Sequence, residues 1–409
     1  MGECYQMNNK IAARLRAPIV WTLAFSMAIC LLSCTSTAQS RLTKAKEPAP
    51  IEKLRIPEHM ATLPAEEFHH YVAKRWETMK KGLADLDKEK TEVVFLGDSI
   101  TDAWNRNTQT WKKYYGKYSP QNFAIGADTT HGVLRRIKEG NFEGLSPKVV
   151  VLLIGVNNVA WGPKHTVQQT ADGVLKIIQT LHKKLPETKF LVLGILPRGA
   201  RSRDVSFRWE KMYQVNSIVE RYADNDRVFY IDIGESFLQE NGVPVEGAYG
   251  DGVHLSGKGL DIWAAAMDRT FTELIEGKLN DLRPVDLKVQ LASTATGARG
   301  TVKVTVTADD KPIPGGSILE VIFPAGFYLD RSKTALSDAD KELASMKTLS
   351  PTATITLKKS IAAKTSATFE LTEITNPTFA TTTAKFTCTL RDKNGDIAGR
   401  GTAEGVSIK

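Results

Sequence analysis

Five short apolar runs limit what this chain can fold into: Val93–Leu96, Phe123–Ile125, Val149–Ile154, Phe190–Ile195 and Val228–Ile233. Each has a Gly, Asp or Asn at or next to its end. The runs are continuous rather than alternating, as in strands buried on both faces. Helical stretches such as Thr166–Leu185 and Ser206–Ala223 lie between them. Strand and helix in repetition predict a parallel sheet covered on both sides, an α/β fold. In such sheets a ligand sits at the carboxyl ends of the strands.

After Pro284 the pattern changes. Thr301–Thr307 alternates with period two, and similar runs occur at Leu319–Phe323, Ala353–Leu357, Ala367–Leu371 and Ala384–Leu390. Short strands separated by turn residues predict a β-sandwich. Segments such as Ile313-Pro314-Gly315-Gly316 and Phe323-Pro324-Ala325-Gly326-Phe327 resemble those of immunoglobulin-like repeats in microbial surface proteins. This region has no His and no Trp. It therefore lacks a general base and an indole platform for a sugar, and it reads as a spacer or contact module whose partner the sequence does not name.

The N-terminus carries a different signal. Lys10, Arg14 and Arg16 precede an apolar run from Ile19 to Leu32. Such a run is short for a membrane span and suits a signal-peptide core. It ends Leu31-Leu32-Ser33-Cys34, which resembles the lipobox of bacterial lipoproteins. That resemblance implies lipidation of Cys34 and an exported, membrane-anchored protein, periplasmic or at the cell surface. The alternative is simple secretion with cleavage after Ala38. The expected organisation is a leader over 1–34, a flexible tether over 35–60, an α/β domain over 61–280 and a β-sandwich over 284–409. Of the four cysteines, Cys4 and Cys30 leave with the leader and Cys34 carries lipid. Cys388 is then left without a disulfide partner and reads as a small core residue. The net charge is +8 with no Lys/Arg block, so no nucleic-acid partner is expected.

Four elements at the strand ends carry chemistry. Gly97-Asp98-Ser99 follows the first run and Gly126 the second. Gly155-Val156-Asn157-Asn158 follows the third, and Asp251-Gly252-Val253-His254 precedes the last helix. Each alone is ordinary: a helix cap, a turn glycine, a turn asparagine, a surface loop. Together they supply a nucleophile, oxyanion donors, a base and its orienting carboxylate. No histidine pair has metal-ligand spacing, and no P-loop or dinucleotide fingerprint occurs, so neither metal nor cofactor is expected.

Gly-Asp-Ser, Gly, Gly-x-Asn and Asp-x-x-His, in that order, resemble the signature of the SGNH (GDSL) hydrolases. Over residues 70–275 the chain is most similar to the catalytic subunit of type I platelet-activating-factor acetylhydrolases and its bacterial relatives. The resemblance implies a flavodoxin-like five-stranded parallel sheet. It implies Ser99 as nucleophile, His254 as base and Asp251 as its orienter. The Ser99 and Gly126 N–H groups and the Asn157 side chain would form the oxyanion hole, with Asp98 structural. Two departures stand out: Ala127 where many relatives have a second glycine, and Asn158 where the wider superfamily often has Asp. The implied activity is hydrolysis of a short acyl ester, in an exported protein an acetylated carbohydrate. A lysophospholipase or thioesterase, or a surface binding protein with an inert hydrolase domain, are the alternatives. The spacing of 27 and 31 residues between Ser99, Gly126 and Asn157 leaves no room for a long apolar lid, so a shallow pocket is expected. Arg198, Arg201 and Arg203 stand where they could border it.

Overall fold

The computed structural model describes residues 48–160, 165–198, 205–240 and 242–409. The leader, Cys34, Arg201 and Arg203 lie outside these residues. Five strands form one parallel sheet: β1 Val93–Gly97, β2 Gln121–Asn122, β3 Val149–Leu153, β4 Lys189–Leu193 and β5 Val228–Ile231. Their order is β2-β1-β3-β4-β5. β1 and β3 are buried along their whole length, which their unbroken apolar sequences require. Among the described residues eight α-helices accompany the sheet: α1 His70–Ala84, α2 Ser99–Asp102, α3 Thr108–Tyr115, α4 Thr130–Lys138, α5 Val156–Ala160, α6 Val167–Lys184, α7 Val205–Glu220 and α8 Gly257–Ile275. α6 opens with a reciprocal cap, Thr166 to the Gln169 N–H and Gln169 back to the Thr166 N–H.

Two expectations need correction. The ladder of β2 is Gln121–Asn122 rather than Phe123–Ile125. The latter residues still run beside β1, with the Phe123 and Ile125 N–H groups donating to the carbonyls of Phe95 and Gly97. Their apolar character serves helix packing, since Ile125 is buried with Val72 and Trp76 of α1. The tether expected over 35–60 does not extend through the described residues from Pro48 onward. Ile51 is buried in the core of the parallel sheet, and the Gln179 amide donates to the carbonyls of Ile51 and Leu54, 2.9 Å each.

From Arg283 the chain is β. The strands are β6 Arg283–Pro284, β7 Asp286–Leu291, β8 Arg299–Thr307, β9 Ile318–Ile322, β10 Tyr328–Leu329, β11 Ala344–Leu349, β12 Thr352–Leu357, β13 Ser366–Thr375, β14 Thr381–Thr382, β15 Phe386–Arg391, β16 Ile397–Ala403 and β17 Ser407–Ile408. They form a four-stranded sheet, β10-β13-β8-β7, a six-stranded sheet, β11-β12-β9-β15-β16-β6, and the small pair β14-β17. Alternate residues of β8 and β12 point inward. The two large sheets share a core of their own, in which Cys388 is buried. Among the described residues no helix is long and apolar enough to cross a membrane.

The β region packs on α7 and α8 through charged groups. Arg391, 4% exposed, pairs with Glu273 of α8 and Glu320 of β9. Glu220 at the end of α7 accepts the Ala325 N–H at 2.6 Å. Burial pushes the Glu220 carboxyl up to about 8; the Ala325 N–H opposes this and Asp232 adds to it. The folded chain thus keeps a proton here that the unfolded chain releases at an ordinary carboxylate pKa. The stability this confers is complete in acid and is lost as the pH rises toward 8. Glu220→Gln, which keeps the acceptor, should melt with wild type at pH 5 and roughly 2–5 °C above it at pH 9, by calorimetry at both pH values.

Candidate active site

The carboxyl ends of β1, β2 and β3 bring three of the predicted elements to one rim. Ser99 opens α2 immediately after β1. Asp98, almost wholly buried, caps that turn by accepting the Ile100 N–H at 3.0 Å. Burial pushes the Asp98 carboxyl up to about 7, against the Ile100 N–H and helped by nearby Asp128. In the turn it serves as the cap of α2.

The loop ahead of α8 brings the fourth element across. His254 Nε2 lies 2.9 Å from Ser99 Oγ, and His254 Nδ1 lies 2.6 Å from Asp251 Oδ2. The Asp251 Oδ1 atom accepts the backbone N–H groups of Val253 and His254 at 2.9 and 2.8 Å. Burial acts to raise the Asp251 carboxyl, but these N–H groups and the imidazole outweigh it and hold it down at about 2. A carboxylate at Nδ1 accepts the ring N–H there. That choice leaves Nε2 free to accept the Ser99 hydroxyl proton.

The side of the cleft that carries Gly126 and Asn157, the candidate oxyanion donors, is built around Asp128. Its carboxylate meets the Arg136 guanidinium at 2.8 Å, both side chains being shut off from solvent. Its backbone carbonyl accepts from the Asn157 amide at 2.8 Å, which fixes the orientation of that side chain and leaves its second N–H for a ligand. Gly126 sits two residues before Asp128 and, with Ser99 and Asn157, lines the cleft. The two departures from the resemblance gain physical meaning. Ala127 has φ of 64°, a left-handed conformation that costs an L-residue roughly 1–2 kcal/mol. A glycine at that position would avoid this strain. Asn158 accepts the Thr130 N–H and donates to Thr130 Oγ1, both at 3.0 Å. Only an amide does both; a carboxylate could not donate.

The cleft measures about 1100 Å³, larger than the shallow pocket expected from spacing. Its outer wall comes from residues 65–72, ahead of every sequence block that spacing considered. Phe68, His69 and Tyr71 line it there, with Arg106 and His131 elsewhere. None belongs to a motif, and no sequence signal singled them out. Arg198 lines the cleft as anticipated. His69 and His70 are exposed, with ring centroids 4.2 Å apart. His59 meets Asp172 at 3.2 Å. Burial, then His165, depresses His131 to about 4. Among the described residues no three His, Cys, Asp or Glu side chains are placed to hold a metal ion.

Residues 95–262 match the GDSL-like Lipase/Acylhydrolase family. The chain is 33% identical to platelet-activating factor acetylhydrolase IB subunit alpha1 of Rattus norvegicus over 184 residues, 44% of this chain and 76% of that one. It is 29% identical to the alpha2 subunit of the same species over 203 residues, 49% and 86% of the two chains. Among solved structures, a GDSL-like lipase from Bacteroides thetaiotaomicron VPI-5482 is 26% identical at a TM-score of 0.42, covering 52% of this chain and all of that one. The acetyl xylan esterase AlAXEase is 25% identical at a TM-score of 0.37, covering 43% and 96%.

The geometry at Asp251 yields a prediction. Asp251→Asn loses the carboxylate that selects the tautomer and should lower kcat on a soluble ester by up to about 10⁴-fold with the fold intact. With Asp251 held ionised down to about pH 2, its carboxyl should add no inflection to the wild-type pH–rate profile above that pH. Steady-state rates across pH for both proteins check this.

Proposed function

The chain belongs to the GDSL-like lipase/acylhydrolase family and is a carboxylic ester hydrolase, and from that premise we propose that it hydrolyses short-chain acyl esters, acetyl esters above all, through an acyl-Ser99 intermediate. The carrying observation is the chain of contacts from Asp251 through His254 to Ser99 Oγ. His254 takes the Ser99 proton as Oγ attacks the ester carbonyl. The oxyanion that forms accepts from the Ser99 and Gly126 N–H groups and from the Asn157 amide. Collapse expels the alcohol, which receives the proton held on His254. Water, deprotonated by the same imidazole, then attacks the acyl-enzyme and releases the acid and free Ser99.

The acetyl preference draws support from the relatives at about one third identity, which are named as acetylhydrolases. The alcohol half is large and polar in this reading, an acetylated carbohydrate. Two arguments support it: the cleft volume of about 1100 Å³ exceeds what an acetyl group needs, and the leader points to export. Ser99→Ala should leave less than a few per cent of wild-type turnover on p-nitrophenyl acetate and fold normally. Asn157→Ala should retain more, losing on the order of 10²–10³ in kcat as one oxyanion donor. Substantial turnover by Ser99→Ala would sink the acyl-enzyme.

Export with lipid on Cys34 is part of the same proposal. It rests on Leu31-Leu32-Ser33-Cys34 after the apolar run. Intact-mass analysis of natively expressed protein should find a diacylglyceryl cysteine at the mature N-terminus. An unmodified N-terminus after Ala38 would establish simple secretion instead.

A further inference from the structure

Tyr71 stands in the first turn of α1 and is 43% exposed, although large and aromatic. It is one of the residues that line the cleft. A Cβ built on Gly126 would stand 3.0 Å from Tyr71 Cε1 and 3.5 Å from its hydroxyl oxygen. The ring therefore lies directly on the glycine whose N–H serves as an oxyanion donor in the reaction proposed above. A methyl group on Gly126 would require the ring to give by a few tenths of an ångström.

The direction of the reaction decides which half of the ester meets this ring. The leaving oxygen needs the proton on His254, so the alcohol half lies on the His254 side of Ser99. His254 is carried by the loop before α8, and α8 packs through Trp263 on Trp104 and through Phe271 on Phe95. Tyr71 is carried by α1, which packs on Ile125 next to Gly126. The acyl half is left to run along the oxyanion donors toward the ring.

The wall is also fixed. The Ala65 N–H donates to the His131 carbonyl at 3.0 Å, and Thr130 Oγ1 donates to the Ala61 carbonyl at 2.9 Å. The Arg135 guanidinium lies 4.4 Å over the Phe68 ring, and Arg75 donates to Asp102 at 3.1 Å. Trp76, one turn beyond Tyr71, is fully buried and donates to Glu139. Swinging Tyr71 aside as part of its segment would break these contacts together.

We propose that the Tyr71 ring, packed on Gly126, is the wall that limits acyl-chain length, a specificity-determining residue for the hydrolysis proposed above, on which this inference rests. Each methylene that a pocket accepts or rejects changes kcat/KM by about 10–200-fold. The experiment is a p-nitrophenyl ester series from C2 to C10 with wild type, Tyr71→Ala, Tyr71→Phe and Tyr71→Trp, each checked for folding by circular dichroism and melting. The readout is the ratio of kcat/KM for C8 to that for C2. Wild type should peak at C2 or C3. Tyr71→Ala should raise the ratio at least about tenfold. Tyr71→Phe should keep the wild-type ratio, and Tyr71→Trp should lower the C4 to C2 ratio. A wild-type maximum at C2 with the same ratio in Tyr71→Ala overturns the wall alone, whether or not overall turnover falls. A wild-type maximum at C8 or beyond overturns the wall and the short-acyl reading together.

Discussion

The ion pair between Arg136 and Asp128 holds the oxyanion side of the cleft in place. Neither side chain touches solvent, and breaking such a pair by removing one partner costs about 3–5 kcal/mol. Arg136 also donates to the Phe123 carbonyl, so the same guanidinium ties α4 to the chain leaving β2. Gly126 and Ala127 lie between these two anchors. The Asp128 carbonyl then fixes Asn157 across the rim. A strained Ala127 can persist there because contacts on both sides over-determine its conformation.

The other side of the cleft is held differently. Asp251 and His254 stay substantially exposed, with side chains 58% and 42% accessible. Their arrangement rests on local bonds within four residues rather than on burial. One oxygen of Asp251 ties down the loop backbone and the other orients the imidazole. The cleft thus pairs a rim braced from beneath by the buried Arg136–Asp128 ion pair with an exposed loop braced by its own hydrogen bonds. Every residue lining the cleft precedes α8. The β region supplies none of them; it meets α7 and α8 through Glu220, Glu273 and Arg391.

The strands of the parallel sheet were legible because burial on both faces demands unbroken apolar runs, and only the second shifted its pairing by a few residues. The β region is less legible. β8, β9, β12, β13 and β15 coincide with recognised runs, while β7, β11 and β16 were not singled out. β11 is an edge strand with alternate residues exposed, so few apolar side chains mark it. β16 contains Gly399 and Gly401, which weaken any strand signal. A Cβ on Gly401 would stand 1.8 Å from the Val285 carbonyl oxygen, so the glycine serves close approach of a neighbouring backbone.

The sequence by itself determined the fold class and which short motifs meet, since both are written locally: apolar runs that must be buried, and motifs at their ends that the topology brings to one rim. Its proposed leader and Cys34 lie outside the described residues. Only the tertiary structure decided the walls of the cleft. The pattern of Val72 and Trp76 says that α1 buries one face but not against what. Its docking on Ile125 places Tyr71 over Gly126, 55 residues further along the chain. Likewise the raised titration of Glu220 comes from its burial in the folded chain, where the Ala325 N–H of the β region is its partner. Burial periodicity is a property of a segment, whereas a wall or a shifted titration depends on which other segment covers it, and that pairing is settled by packing.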